Sequence, residues 1–173
     1  AIIGLKEAEL TEKRLNISKN TRGVKVIDDT YNAAPQSMQA GMNTLMATQG
    51  KCRHIAILGD MFELGTETES GHKCVGEYAA KIGVDLLLCV GESSKFMLDG
   101  WVEVKKNSGH KVEQVCEMPL IFKDEQDGTQ VEYFKDKDMV IAHINEHLLS
   151  GDVVLVKASN AMRMDLIVKE ILK

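Results

Sequence analysis

Three short segments combine residue types that could bind a charged small molecule. The first runs Asp-Asp-Thr-Tyr-Asn-Ala-Ala-Pro from Asp28 to Pro35, between an apolar run and a helix-start signal. Asp29 could hold ribose hydroxyls or an ammonium group, Tyr31 offers an aromatic face, and helix N–H groups behind them could meet an anion. An ordinary strand-to-helix turn explains the same residues equally well, because Asp and Asn commonly cap and bend such turns.

The second segment, from Leu58 to Gly65, carries two carboxylates three residues apart, Asp60 and Glu63. Glycines frame them and apolar side chains separate them. A loop that only connects two elements does not need those apolar residues, so we interpret this segment as a ligand loop. The alternative is a loop folded back onto its own sheet.

The third segment is Lys157-Ala158-Ser159-Asn160. Lys157 could meet a carboxylate or a phosphate, and Ser159 or Asn160 could cap the next helix. A plain cap beside a solvated lysine fits this spacing at least as well.

The histidines offer weaker signals. His143 and His147 match the H-x-x-E-H pattern of a zinc protease family. Both lie off the apolar stripe of their predicted helix, so we expect a solvated edge there and no metal site. His72 falls at the start of a predicted helix near the second segment, where an exposed first-turn residue is a more common role than a ligand contact.

Four continuous apolar runs predict strands that are covered on both faces, as in a parallel sheet. They are Val24 to Ile27, His54 to Leu58, Leu86 to Val90 and Val153 to Val156. Helical patterns alternate with them and contain Met38-Met42-Leu45-Met46 after Pro35, Val75-Tyr78-Ala79-Ile82 before Gly83, Val140-Ile144-Leu148 before Gly151, and Met164-Ile167-Val168-Ile171.

This alternation predicts an α/β fold, a Rossmann-like open sheet, mostly parallel, with helices on both faces in three α/β/α layers. Ligands of such sheets bind beyond the carboxyl ends of the strands. All three segments follow predicted strands, so we expect them at this one edge, which we call the carboxyl rim.

Two regions have no clean period. Residues 11 to 22 could form a short strand that pairs with the first long strand through a turn at Lys19-Asn20. Residues 101 to 130 contain Asp127-Gly128, a hairpin-turn signal between Pro119 to Phe122 and Val131 to Phe134.

Composition narrows the function classes. The 173 residues carry 21 basic and 26 acidic side chains, a net charge of −5, which argues against nucleic acid as the main partner. No apolar run approaches the roughly 20 residues of a membrane span, and no secretory signal is evident, so we expect a cytoplasmic domain. The four cysteines form no C-x-x-C pair, which suits inert thiols in a reducing compartment. Neither standard phosphate-loop motif is present.

The three segments together resemble signatures of the C-terminal domain of Mur ligases. Asp29 to Pro35 resembles D-[ST]-Y-N-A-N-P, and Leu58 to Gly65, followed by His72 and Gly76, resembles L-G-D-M-x-E-L-G…H…G. Gly151 to Ser159 is similar to G-D-x-x-L-x-K-G-S. The second motif points to the branch that joins D-alanyl-D-alanine to UDP-N-acetylmuramoyl-tripeptide. The resemblance implies that residues 14–173 form this domain and that residues 1–13 are a linker or the tail of a preceding domain.

The resemblance also implies a division of labour. ATP and Mg²⁺ would be bound mainly by a preceding central ATPase domain, with no cofactor or catalytic residue in this chain, which alone would be inactive. Nucleotide contacts would come from Arg14, Asp29, Tyr31 and Asn32. Contacts to D-Ala-D-Ala would come from Asp60, Glu63, Lys157 and Ser159, while the UDP-sugar peptide would be held by the preceding domains.

Three positions depart from the family pattern. Ala34 replaces an asparagine, Ala158 replaces a glycine, and Asn160 stands where arginine is frequent. If position 34 is a helix N-cap, its change costs about 0.5–2 kcal/mol. Two other hypotheses therefore stay open: a Mur-like ligase with a different amino substrate, and a non-catalytic Rossmann-like ligand-binding module.

Overall fold

The structure, a computed structural model that describes residues 16–173, contains one sheet of eight strands. Arg14 and residues 1–13 lie outside the described residues. The strands are β1 (Asn16–Lys19), β2 (Lys25–Asp29), β3 (His54–Gly59), β4 (Leu86–Val90), β5 (Val112–Glu117), β6 (Leu120–Asp124), β7 (Gln130–Phe134) and β8 (Val153–Lys157). Their order across the sheet is β1-β2-β8-β3-β4-β7-β6-β5.

The middle of this sheet is parallel and its two edges are antiparallel. Strands β2, β8, β3, β4 and β7 run in one direction, and so does the edge strand β5, whereas β1 and β6 run in the other. Strands β4 and β8 are buried along their whole length, as their continuous apolar runs predicted. The predicted pairing of β1 with β2 and the predicted hairpin at Asp127-Gly128 are both confirmed.

Helices cover both faces of the sheet, which confirms the three-layer α/β/α prediction. One face packs against α1 (Pro35–Ala47), α2 (Thr68–Ile82) and α3 (Lys95–Asn107), and the other packs against α4 (Lys137–His147) and α5 (Asp165–Leu172). Within residues 16–173, no helix is both long enough and apolar enough to cross a membrane.

Two helix predictions need correction. Helix α3 was not predicted, and it buries Met97, Leu98 and Trp101 against the sheet. Helix α4 ends at His147, before the predicted stop at Gly151, because Leu148 already has an extended backbone. Gly83 does end α2 as predicted, in the left-handed conformation that glycine adopts without a Cβ penalty.

The crossing of α2 and α3 depends on two glycines. A Cβ atom at Gly76 would lie 1.8 Å from the carbonyl oxygen of Met97, and one at Gly100 would lie 2.3 Å from the carbonyl oxygen of Lys73. The two backbones therefore approach more closely than any side chain at either position would allow.

Candidate functional site

A cleft of about 240 Å³ opens at the carboxyl rim, where β2 and β8 end side by side. Asp29 and Lys157 are neighbours in the sheet register, and the Lys157 Nζ lies 2.8 Å from the Asp29 Oδ2. The same ammonium donates to the carbonyl oxygen of Asn32 at 2.8 Å. We call this the rim cleft; its remaining walls are Tyr31, Ser37, Ala40, Gly41 and Thr44.

Lys157 is a structural tie within the rim cleft. Its side chain is only 3% exposed, so it is held between Asp29 and the Asn32 carbonyl and is not a free surface cation. The aromatic ring of Tyr31, by contrast, belongs to a residue that is 55% exposed beside the cleft. The arrangement offers a flat apolar surface next to a neutralised charge pair, which suits a planar, polar ligand.

The amino end of α1 forms another part of this wall. Ala34 is the N-cap residue and supplies no side-chain cap. Ser37 partly compensates, because its hydroxyl accepts from the Ala34 N–H at 2.9 Å and donates to the Ala34 carbonyl at 3.0 Å. The Asn32 side chain makes a local hydrogen bond, because its Oδ1 accepts from the Ala33 N–H at 2.8 Å.

Restoring asparagine at position 34 is expected to stabilise the protein by about 0.5–2 kcal/mol. Ala34 is exposed, so the larger side chain has room, and its amide oxygen would accept from N–H groups of the first turn. Urea unfolding of Ala34→Asn against the wild type measures the gain. Gln36→Asn, an exposed change in the same turn that supplies no cap, is the control and should give no gain; equal gains in both variants would contradict the cap explanation.

The loop from Asp60 to Gly65, which we call the 60–65 loop, follows β3 on the other side of β8. Its first residue is buried: the Asp60 Oδ1 accepts from the N–H and the hydroxyl of Ser94, both at 2.7 Å. The segment that follows β8 also holds this loop. The Ser159 hydroxyl accepts from the Phe62 N–H at 2.8 Å, and the Ser159 N–H donates to the Asp60 carbonyl at 3.0 Å. Asp60 and Ser159 therefore shape this loop.

His72 holds the same loop from below. Its ring is fully buried; the Nε2 accepts from the Met61 N–H at 2.9 Å, and the Nδ1 lies 2.6 Å from the Thr68 carbonyl oxygen. This pairing assigns the proton to Nδ1. The expectation of an exposed first-turn histidine was wrong, because the loop folds over the ring.

The 60–65 loop presents two side chains to solvent. Phe62 is 46% exposed, and Glu63 is exposed with its backbone in the left-handed region at φ 65°. A non-glycine residue in this region is uncommon and costs energy, of order 1–3 kcal/mol, that the surrounding contacts must offset. Glu63 is thus the carboxylate of the loop that is free to meet a ligand.

The structure changes the predicted grouping of the site residues at Lys157, which was expected beside Asp60, Glu63 and Ser159. Asp29, Tyr31 and Asn32 share the rim cleft as expected, and Lys157 joins them there. Asp60, Glu63 and Ser159 lie together around the 60–65 loop. Arg14 falls outside the described residues.

Sequence reasoning missed two contributors. Ser94 binds Asp60, and its signal was the Gly-Glu-Ser-Ser segment that follows β4. One face of α1 lines the rim cleft with small residues, whose spacing at positions 37, 40, 41 and 44 was visible in the sequence.

The neighbourhood of the 60–65 loop is negatively charged. Burial raises the pKa of Tyr133, and the carboxylates of Asp60 and Glu92 raise it further. Burial likewise raises the pKa of the Cys89 thiol well above its usual value. Both groups therefore stay protonated near neutral pH, and neither is poised to act as a nucleophile.

Among residues 16–173, one group of three side chains has a spacing that could suit a metal ion: His110, Asp124 and Asp127. A cation of the protein already pairs with both carboxylates, because the Lys105 Nζ lies 2.6 Å from Asp127 and 3.3 Å from Asp124. Burial alone would raise the pKa of Asp127, but hydrogen bonds from Lys105 and Thr129 outweigh it and lower that pKa. We interpret this cluster as an ion-pair network that anchors the β6–β7 hairpin to α3.

The H-x-x-E-H segment forms no such group in the described part of the chain. His143 is exposed as expected, whereas the His147 Nε2 lies 3.4 Å from the buried carboxylate of Glu132 on β7. The interaction with this nearby Glu132 carboxylate raises the pKa of His147.

This pair predicts a pH dependence of stability. Because the folded-state pKa of His147 is raised, the pair's contribution is fully present below the unfolded pKa of about 6.5 and is lost as pH rises through the folded pKa. We expect less than about 1 kcal/mol, since a third of the imidazole is exposed. Urea unfolding at pH 6 and pH 8.5 should show a larger difference between wild type and His147→Gln at pH 6. A difference independent of pH would contradict the ion pair, and His143→Gln is the exposed control.

Comparison with known proteins places these features in context. The sequence profile of the family described as "Mur ligase, glutamate ligase domain" matches residues 13–160. The chain is 28% identical over 170 residues to a UDP-N-acetylmuramoyl-tripeptide–D-alanyl-D-alanine ligase of Bacillus subtilis, covering 98% of this chain and 33% of that protein. It is 34% identical over 164 residues to the enzyme of the same name from Mycobacterium tuberculosis, covering 88% and 29%. The chain thus spans about a third of these relatives.

Solved structures share the fold. MurF from Acinetobacter baumannii superposes with a TM-score of 0.69 and 23% identity, over 94% of this chain and 30% of that one. MurF ligase from Thermotoga maritima in complex with ADP superposes with a TM-score of 0.64 and 23% identity, over 91% and 30%. A separately solved domain of a putative UDP-N-acetylmuramate:L-alanyl-gamma-D-glutamyl-diaminopimelate ligase from Haemophilus ducreyi, 15% identical, has a TM-score of 0.50 and is covered over 99% of its length. At these identities the likeness is one of fold.

Proposed function

Because this chain belongs to the Mur ligase family, as its C-terminal glutamate ligase domain, we propose that it serves an ATP-dependent amide ligase. The reaction would add D-alanyl-D-alanine to UDP-N-acetylmuramoyl-tripeptide during peptidoglycan precursor synthesis in the cytoplasm. The names of the Bacillus and Mycobacterium relatives support this choice of substrates. Residues 14–173 would be the domain, and residues 1–13 a linker or the tail of the preceding one.

The proposed chemistry has two steps, both centred on the preceding ATPase domain. ATP phosphorylates the carboxylate of the tripeptide and ADP is released; the dipeptide amine then attacks the acyl carbon and phosphate leaves. The phosphate loop and Mg²⁺ would belong to the preceding domain. This chain would close over it, position the two reactants and exclude water, which is how a closing domain accelerates acyl transfer.

The rim cleft is the observation that carries this proposal. Its exposed Tyr31 stands beside a buried Asp29–Lys157 pair, an arrangement suited to the planar base and ribose of a nucleotide. Asp29, Tyr31 and Asn32 would form the nucleotide side of the closed site, together with Arg14.

The 60–65 loop would form the dipeptide side. D-Ala-D-Ala offers an ammonium group and a carboxylate, and the exposed carboxylate of Glu63 is placed to meet the ammonium group. Asp60 and Ser159 would act through the loop that they shape, and Lys157 would support both sides from β8.

The test is a ligation assay with the complete polypeptide that carries this chain. Incubated with ATP, Mg²⁺, UDP-N-acetylmuramoyl-tripeptide and D-Ala-D-Ala, it should release phosphate and form the pentapeptide product. The 173-residue chain alone should give neither. Ligation by this chain alone would contradict the division of labour, and failure of the complete polypeptide would contradict the proposed function.

The departures at Ala34, Ala158 and Asn160 favour a second candidate, a ligase of the same family with another amino substrate. Ala158 is fully buried beside Gly59, so its methyl group alters the packing at the base of the 60–65 loop. Running the same assay with D-alanine, glycine and other dipeptides separates the two candidates. A kcat/KM that is higher for another amine than for D-Ala-D-Ala would establish the second.

A further inference from the structure

A second cleft, of about 340 Å³, lies at the opposite edge of the sheet from the carboxyl rim. Three lysines line it: Lys19 at the end of β1, Lys25 at the start of β2, and Lys51 just before β3. Ser150, in the turn before β8, adds a hydroxyl to the same wall. We call this the lysine cleft.

The positive charges of the lysine cleft have no counter-charge in the described part of the chain. Lys19 and Lys25 stand directly opposite each other in the β1–β2 register, where like charges are destabilising. None of the three lysines makes an ion pair with any residue from 16 to 173, and the Lys25 Nζ donates only to the neutral Gln49 carbonyl, at 2.7 Å. Such a concentration of positive charge is unexpected in a chain with a net charge of −5.

The nearby acidic residue does not relieve this repulsion. Asp152 is buried, and both of its oxygens accept hydrogen bonds from Arg53, at 3.3 and 2.7 Å. Burial alone would raise the pKa of Asp152, but these bonds outweigh it and lower that pKa. The Asp152 charge is therefore already balanced by Arg53.

Three glycines line the lysine cleft and place no side chain in it. Gly23 and Gly151 have φ values of +88° and +93°, which side chains rarely adopt, and a Cβ at Gly50 would lie 2.5 Å from the Val153 Cγ2. The like charges of Lys19 and Lys25, which cost stability, are thus retained in a concave site, and this combination is typical of a binding site.

We propose that the lysine cleft binds an anion that carries phosphate groups with two or more negative charges, either a soluble diphosphate or a phospholipid headgroup. Three ammonium groups would neutralise such an anion, and the Ser150 hydroxyl could donate to one of its oxygens. This site is separate from the rim cleft and does not depend on the proposed ligase function.

The experiment titrates inorganic pyrophosphate into the chain by isothermal calorimetry. We expect saturable binding at one site that weakens when NaCl rises from about 50 to about 200 mM, because exposed charges are screened. The double variant Lys19→Gln/Lys51→Gln should lose at least about tenfold in affinity, from the loss of two charge-assisted hydrogen bonds. Lys25 is left unchanged because it also binds the Gln49 carbonyl.

A matched control is Lys81→Gln/Lys135→Gln, which removes the same net charge from exposed lysines outside the cleft. It should bind pyrophosphate as the wild type does; equal loss in both double variants would overturn the proposal.

Thermal unfolding separates binding from folding, because relief of the Lys19–Lys25 repulsion should keep the Tm of the cleft variant at or above that of the wild type. Pyrophosphate at about 100 times Kd should raise the wild-type Tm by about 5–10 °C.

A second arm identifies the source of the phosphate. Co-sedimentation with cardiolipin–phosphatidylcholine vesicles, whose anionic headgroup carries two phosphates, would assign a lipid headgroup if it is lost in the cleft variant and kept in the control. Pyrophosphate binding without vesicle binding would assign a soluble ligand. Absence of saturable binding to both probes would overturn the proposal.

Discussion

Replacing Lys157 with methionine is expected to lower the free energy of unfolding by about 3–5 kcal/mol. The substitution takes a buried ammonium group away from the Asp29 carboxylate, and breaking one side of a buried ion pair typically costs this much. It also removes the donor to the Asn32 carbonyl, so the segment between β2 and α1 is no longer held to β8. Urea unfolding of the chain measures the loss.

Two variants make this prediction specific. Lys169→Met removes an exposed lysine from a surface pair with Asp165 and should cost less than about 1 kcal/mol. The double variant Lys157→Met/Asp29→Asn should be more stable than the sum of the two single losses predicts, because it removes both charges. A cost for Lys157→Met as small as that for Lys169→Met would contradict the structural tie.

The same substitution should impair the proposed reaction. In the complete polypeptide, a displaced Asn32 and Tyr31 would misplace the nucleotide, and a shift of about 1 Å can cost about 100-fold in rate. We therefore expect kcat/KM to fall by about that factor at a temperature where the variant is still folded.

Replacing Gly76 with alanine is expected to destabilise the protein by at least about 3 kcal/mol. Glycine-to-alanine changes inside helices usually stabilise by about 1 kcal/mol, so the expected sign is reversed here. The reason is the 1.8 Å separation between the new Cβ and the Met97 carbonyl oxygen, a backbone atom that cannot move aside without parting α2 from α3.

Gly71→Ala, in the same helix, is the matched control. The atoms nearest to its new Cβ are side-chain ends of Leu64 and Pro35, at 3.0 and 3.2 Å, which can shift. We expect a change within about 1 kcal/mol of the wild type. Similar effects of the two substitutions in urea unfolding would contradict the close crossing of α2 and α3.

Features that depend on local sequence pattern were predictable, whereas features that depend on contacts between distant residues were not. The central strands were predictable because both of their faces are buried, which makes them continuous apolar runs. Strand β5 was not, because its residues are mostly exposed at the edge of the sheet and leave no alternation to detect. Helix α3 was missed because Gly100 and Lys105 occupy buried positions, where only its contacts with α2 and Asp127 explain them.

The candidate site divides in the same way. Local motifs placed Asp29, Tyr31 and Asn32 together on one loop, and the structure keeps them in one cleft. The partners of Lys157 and His72 could not be predicted, because each contacts backbone or side-chain atoms of another loop. Such contacts form only after the strands have assembled into the sheet.

The central place of β8 has a consequence for the way this protein is made. Strand β8 is the last strand of the described chain, yet it lies between β2 and β3, and it alone connects the β1–β2 hairpin to the rest of the sheet. During synthesis, β2 and β3 therefore lack the strand that lies between them, because β8 begins more than 90 residues after the end of β3. Long-range pairing of this kind slows folding and leaves strand edges exposed to other chains. We expect the nascent chain to depend on protection by chaperones until residues 153–157 have been translated.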